Sequence, residues 1–294
     1  LVGHRPAREL SISSRRTTRV RPTDCADRAL VLRPFAGRAD ETDWVALREV
    51  VPAATAPLRL RAEPDRSVVL STVLPLAWAA MVRADGTVYL GLQVPTRSGD
   101  ISRDLAAALE LALQTEPGNP VLLAGLPGPG PRLQDLLDDA PIEVTVHAGF
   151  DYWIDGVAPS EDVAASLERA NATVVPTVRL TAVPSAYWCR MRERTHLRWV
   201  LPEDEDAALD ALARVAAADG LGIGPDTRYV GAFRAHGLLV PVWDLPVDRE
   251  AAALEQPVAA LRTRLDAALA TTDPLTTQER RARAGLTSRQ LTLR

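Results

Sequence analysis

AWAAMVRADGTVYLGLQV, residues 77–94, decides the fold class. Two apolar runs, Ala77 to Arg83 and Thr87 to Val94, flank Ala84-Asp85-Gly86. Asp-Gly between apolar runs suits a tight turn with positive φ, so the stretch predicts an antiparallel hairpin. Just upstream, Ser67 to Leu74 reads as a strand. Downstream, Ile101, Leu105, Leu109 and Leu113 recur at helical spacing and predict an amphipathic helix from Ile101 to Gln114.

The same grammar continues outward. Strands are expected at Pro120 to Ala124, Ile142 to His147, Val178 to Val183, Tyr187 to Arg192 and His196 to Leu201. Tyr229 to Arg234 and Leu238 to Trp243 pair around Ala235-His236-Gly237. Helices are expected at Trp44 to Glu49, Arg132 to Leu137, Glu161 to Ala170 (capped by Ser160), Glu203 to Ala217 and Arg249 to Ala270. Strand pairs joined by tight turns, with helices between the groups, imply an α+β fold with mostly antiparallel pairing and a suggestion of two lobes.

Residues 1–29 form an expected disordered arm, rich in arginine and poor in apolar residues. The folded part is expected over 30–273, with an internal boundary at the Gly- and Pro-rich loop 125–131. A polar, peripheral tail covers 274–294.

Composition narrows the chemistry. The apolar fraction of 47% supports a sizeable core, built mainly from Leu, Val and Ala because aromatics are only 4%. A net charge of −4 argues against general polyanion binding. All 34 basic residues are arginine, which excludes a lysine Schiff base and a lysine-bearing phosphate loop. Two cysteines, Cys25 and Cys189, rule out a four-cysteine zinc site, and no metal or cofactor is expected. Apolar runs are short and no secretory leader is legible, so no membrane span and a cytoplasmic location are expected.

Three stretches carry possible chemistry. Between Tyr187 and Trp199, one parity holds Trp188, Arg190, Arg192, Arg194, His196 and Arg198. In an extended chain these share a face, a basic surface with an aromatic at its end, suited to phosphates or stacked bases. The same alternation also describes a solvated sheet face. Thr96 to Arg103 runs from a strand into a helix, where Arg97 and Ser98 are candidates to hold an anion. Simple capping by Asp100 or Ser98 is the alternative. His147, with Asp151 or Asp155 among Phe150, Tyr152 and Trp153, offers a base and its orienter or an aromatic loop packed on the sheet. Cys189 and His196 differ in parity, so they are expected on opposite faces and not as a nucleophile and its base.

Arg33-Pro34-Phe35, the run from Val45 to Leu58 (VALREVVPAATAPL) and the run from Val94 to Leu105 (VPTRSGDISRDL) resemble an uncharacterised family of high-GC Gram-positive bacteria. The resemblance extends from about Leu30 onward. Some members carry a translocase-like label that rests on a preceding cysteine-rich zinc motif. This chain has only Cys25 there. The resemblance implies no activity, so no catalytic residue carries over.

Two function classes follow. The first is a non-enzymatic cytosolic protein that binds a protein or ribonucleoprotein through Trp188, Arg190, Arg192 and Arg198. The second is an enzyme or a small-molecule or anion binder with a pocket near Arg97, Ser98, His147 and Asp151.

Overall fold

The computed structural model describes residues 30–95, 98–123, 125–154, 158–191 and 193–288. Helix α1 (Glu41–Glu49) precedes β1 (Ala54–Leu58), β2 (Val68–Ser71), β3 (Ala80–Val82) and β4 (Val88–Gly91). Then come α2 (Ile101–Leu113), β5 (Pro120–Val121), α3 (Leu133–Leu136), β6 (Thr145–Val146) and α4 (Glu161–Asn171). The second half holds β7 (Thr177–Arg179), β8 (Ala186–Met191), β9 (Arg194–Trp199), α5 (Glu205–Ala217), β10 (Arg228–Ala235) and β11 (Leu238–Leu245). It ends with α6 (Glu255–Leu269) and α7 (Thr277–Ser288).

The strands build two sheets, ordered β5-β3-β4-β2-β1-β6 and β10-β11-β9-β8-β7. All strand pairs are antiparallel except β2 with β4. The fold is therefore α+β, as the hairpin signals imply. The Asp85-Gly86 turn joins β3 to β4, with Gly86 at φ +85°. No helix among the described residues is long and apolar enough to cross a membrane.

Strand periodicity divides each sheet into two faces. In the first sheet, Val68, Leu70, Ala80, Val82, Val88 and Leu90 share a core with Leu105 and Leu109 of α2. Met81 and Tyr89 point the other way, under Trp78, Tyr152 and Trp153. In the second sheet, Trp188, Leu197, Trp199, Leu239 and Trp243 pack beneath α5, α6 and α7. Its opposite face supplies Tyr187, Val240 and Val242 to the core of the first sheet.

Helix α1 joins those two surfaces. Thr42 to Leu47 are all buried, so the helix is covered on every side. Trp44 stacks on Phe35 at 5.3 Å, and Phe35 meets the His236 ring edge-on in the β10–β11 turn. His236 Nε2 lies 2.7 Å from Glu49. On the other side, Gln93 Nε2 donates to the Leu47 and Val51 carbonyls at 2.7 and 3.0 Å, and Arg48 donates to the Leu92 and Val94 carbonyls.

Three expectations change. Strand β1 escaped detection because Pro57 interrupts it; β6 pairs only with Ala54 and Thr55, so the edge opposite β2 is unpaired at Pro57. The tail after Pro274 contains α7, which packs on α5, buries Leu286 and pairs Arg283 with Asp206 and Asp210. Loop 125–131 lies between β5 and β6 of one sheet and is held to α2 by Arg103, which donates to the Gly128 and Pro131 carbonyls. The change of sheet falls between β6 and β7.

Because both sheets share the core around α1, Trp44→Ala is expected to cost about 3–5 kcal/mol. Urea unfolding followed by far-UV circular dichroism should show one transition shifted to lower denaturant. A second, unshifted transition would mean that the sheets are stabilised separately.

Candidate functional site

The hairpin β8–β9 does not present one basic face. Its register pairs Cys189 with His196, Arg190 with Thr195 and Met191 with Arg194. Residues directly opposite across a ladder share a face. Pairing therefore joins odd to even numbers, and the two-residue connection 192–193 exchanges the parities. Trp188 and Arg190 face α5 and α6 with Thr195 and Leu197, whereas Arg194, His196 and Arg198 share the other face with Tyr187, Cys189 and Met191. Trp188 is buried and its Nε1 donates to the Arg249 carbonyl at 2.8 Å. Arg190 lies over the Trp188 ring at 4.8 Å and pairs with Glu250 at 2.8 Å. Arg198 meets the Met191 sulfur. Arg192 lies outside the described residues.

The second expected pocket is also divided. Ser98 precedes α2, which packs on β3, β4 and β5, whereas His147 follows β6 at the opposite edge of the sheet. The α2 N-terminus is occupied by its own acids. Asp100 accepts from Ser102 N at 3.0 Å, and Asp104 accepts from Ser98 N at 3.2 Å. Asp100 also receives Arg132 at 2.8 Å. Capping thus accounts for this segment; Arg97 lies outside the described residues. His147 Nε2 is 2.8 Å from Thr55 Oγ1 and its ring lies 4.8 Å from Tyr152, while burial lowers its pKa. Asp151 accepts from Asn171 instead, at 3.4 and 3.5 Å. Asp155 lies outside the described residues. No group of three or more His, Cys, Asp or Glu among the described residues is placed to hold a metal ion.

A different place gathers polar groups. A cleft of about 680 Å³ opens between the first turn of α1, the segment around Pro141 and Val144, and the run from Arg179 to Pro184. Asp43 lines it, with its carboxylate accepting from Ser185 Oγ at 2.7 Å and from Arg179 Nη2 at 2.8 and 3.0 Å. An ionised carboxylate only accepts, so the Ser185 proton goes to Asp43. The Thr42 hydroxyl, 2.8 Å from Ser185 Oγ, then donates to it. Ser185 is fully buried and sits at φ +52°, a left-handed conformation that costs about 1–2 kcal/mol for a residue with a Cβ. Its carbonyl accepts from Val200 N at 3.0 Å.

Nη2 of Arg179 is held by Asp43, while Nε and Nη1 make no hydrogen bond among the described residues. Its side chain keeps 31% exposure. The guanidinium is therefore oriented by a buried acid with two donors left over. Other cavities differ: near Arg59 and Leu137 (about 290 Å³), Arg38 is spent on Asp40 and the Asp138 and Ala140 carbonyls. Near Trp78 and Trp153 (about 430 Å³), Arg83 donates to the Tyr152 carbonyl.

Sequence reasoning missed Asp43, Arg179 and Ser185. Asp43 reads as ordinary helix-start charge, and Ser185 after Pro184 reads as a turn. Only the tertiary meeting of α1 with β7 and β8 brings them together.

The family model for a family of unknown function (DUF5926) matches residues 34–294, and the chain belongs to that family. No curated protein and no solved structure matches it.

Burial raises the Asp43 carboxyl above the ordinary carboxylate value, against the lowering effects of the Ser185 hydrogen bond and the Arg179 charge. The folded chain then holds this proton more tightly than the unfolded chain. That contribution to stability is full below the unfolded value and is lost as pH rises through the folded one. The stability of the parent relative to Asp43→Asn should therefore fall as pH rises just above the ordinary carboxylate range. Urea midpoints across a pH series measure it; the opposite slope would mean that Arg179 outweighs burial.

Proposed function

We propose that this protein binds a small anionic molecule, bearing a carboxylate or phosphate, in the cleft between α1 and β7, and that it does so in the cytoplasm. The observation that carries this reading is Arg179, held on the buried Asp43 with Nε and Nη1 uncommitted. A guanidinium fixed before the ligand arrives loses less freedom on binding. The cleft volume of about 680 Å³ suits a metabolite-sized ligand. Pro141, Val144, Leu180 and Val183 supply apolar walls. The positive end of the α1 dipole adds a favourable field for an anion.

This keeps the anion-binding class and moves it away from Ser98 and His147. A protein or ribonucleoprotein surface on Trp188, Arg190 and Arg198 has weaker support, because these side chains lie on opposite faces of the hairpin.

The test is thermal unfolding with inorganic phosphate, succinate and a nucleoside monophosphate, each against chloride at equal ionic strength. A binding anion raises the melting temperature with concentration; at one hundred times Kd the gain is about 2.7 kcal/mol. Arg179→Gln should abolish the rise. If no probe exceeds chloride, or if the variant responds like the parent, the cleft is not an anion site.

A further inference from the structure

The face of the first sheet turned away from α2 holds a pocket of about 430 Å³, lined in part by Trp78, Met81 and Trp153. The two indoles are fixed by separate segments. Trp153 Nε1 donates to the Val73 carbonyl at 2.9 Å, and its ring stacks on Phe150 at 4.4 Å and 12°. Trp78 closes a tight turn in which Leu76 and Ala77 hold φ +54° and +53°. That conformation is unfavourable for residues with a Cβ. It is held by Ala77 N donating to the Leu74 carbonyl at 3.0 Å and Trp78 N to the Pro75 carbonyl at 3.1 Å. Gly91 lets the turn approach, since a Cβ there would stand 2.7 Å from the Trp78 carbonyl oxygen. Trp78 is half-buried, and no aromatic ring stacks on it among the described residues.

Arg83, Asp85 and Asn119 supply polar side chains to the same pocket. Arg83 is engaged: Nη2 donates to the Tyr152 carbonyl at 2.8 Å, and the guanidinium lies 4.8 Å from the Tyr89 ring. Asp85 is exposed and accepts from Thr87 N at 2.8 Å, a hydrogen bond that holds its pKa below the ordinary carboxylate value. Asn119 commits its amide nitrogen to the Glu116 and Pro117 carbonyls at 3.1 and 3.4 Å, which leaves Oδ1. One positive and one negative side chain border the pocket, so its charge favours neither an anion nor a cation. Asp85 and Asn119 both offer acceptors.

We propose that this pocket binds a small neutral aromatic molecule bearing an O–H or N–H donor, a phenol or an indole, with its ring against Trp78 and Trp153 and its donor on Asp85. Aromatic side chains favour another ring over an aliphatic group of similar size, through stacked or edge-on contact. Both indoles are held before a ligand arrives, so little freedom is lost when it binds. The volume suits a molecule of one or two rings. A carboxylate is a stronger acceptor than a neutral amide, which places the donor on Asp85 in preference to Asn119. The pocket shares no lining residue with the Arg179 cleft, and the two proposals stand independently.

The experiment uses the full chain with carbon-13 in its methionine methyl groups. The chain has two methionines, Met81 in the pocket and the exposed Met191 on β8, which serves as the internal reference. Met191→Leu assigns the two signals. Phenol should move the Met81 signal saturably, through its ring current, and leave that of Met191 in place. Anisole, which keeps the ring and lacks the donor, should bind about 10-fold more weakly, and cyclohexanol, which keeps the donor and lacks the ring, should not bind. Trp78→Ala should weaken phenol by about 10-fold. Asp85→Asn keeps a favoured turn pair with Gly86 and should cut the advantage of phenol over anisole. The ligand series on the parent decides the matter even if Trp78→Ala does not fold. An unmoved Met81 signal, equal shifts at both methionines, or equal affinity for phenol and cyclohexanol would overturn the proposal.

Discussion

A carboxylate held between two sheets is tolerable only if every direction it faces supplies a donor or a charge. Asp43 meets that demand through a directed chain, in which Thr42 donates to Ser185, Ser185 donates to Asp43, and Arg179 donates from the far side. Its members come from α1, β7 and the approach to β8. Satisfying the acid therefore fixes how the helix meets the second sheet. Nearby on the same helix, Trp44, Val45 and Leu47 are buried against both sheets. The acid specifies the geometry that the apolar side chains stabilise.

The arginines show what a chain without lysine does with its positive charge. Many are tethers, with the planar fork reaching two carbonyls or a carboxylate and a carbonyl. Arg48 holds the Leu92 and Val94 carbonyls, Arg103 holds those of Gly128 and Pro131, and Arg264 holds those of Gly220 and Gly222. Arg132 bridges Asp100 and the Pro34 carbonyl. Counting basic residues along a strand therefore overstates the charge available to a partner. Arg179 differs because one nitrogen is anchored while two remain.

Local signals made much of the fold legible. Asp85-Gly86, the spacing from Ile101 to Leu113, Ser160 before α4 and the turn at His236 each act over a few residues. Where a longer-range fact decides, reading failed. Pro57 is acceptable only because β6 is two residues long. Helix α7 has little apolar content of its own and owes its place to α5. The expected separation of Cys189 and His196 rested on their parity along the chain, and the register of the hairpin pairs them instead. The cleft residues were not legible at all, since their partners lie more than a hundred positions away.

The cleft and the cross-strand row of Thr177, Cys189, His196 and Asp244 share one face of one sheet. Arg179 pairs with Tyr187, and Thr177 pairs with Cys189, so the two rows stand about 6.4–6.8 Å apart along the strands. Ser185 sets the phase of that face. Its left-handed backbone turns the chain into β8 while its side chain stays on Asp43. From that entry, Tyr187 and Cys189 face α1 and the first sheet's side, and Trp188 faces the helices. A slip of one residue would drive Trp188 into the space beside Asp43 and bury Cys189 beneath α5 and α6. The strain at Ser185 is thus the local cost of a register that places Arg179, Cys189 and His196 on the same side of the sheet.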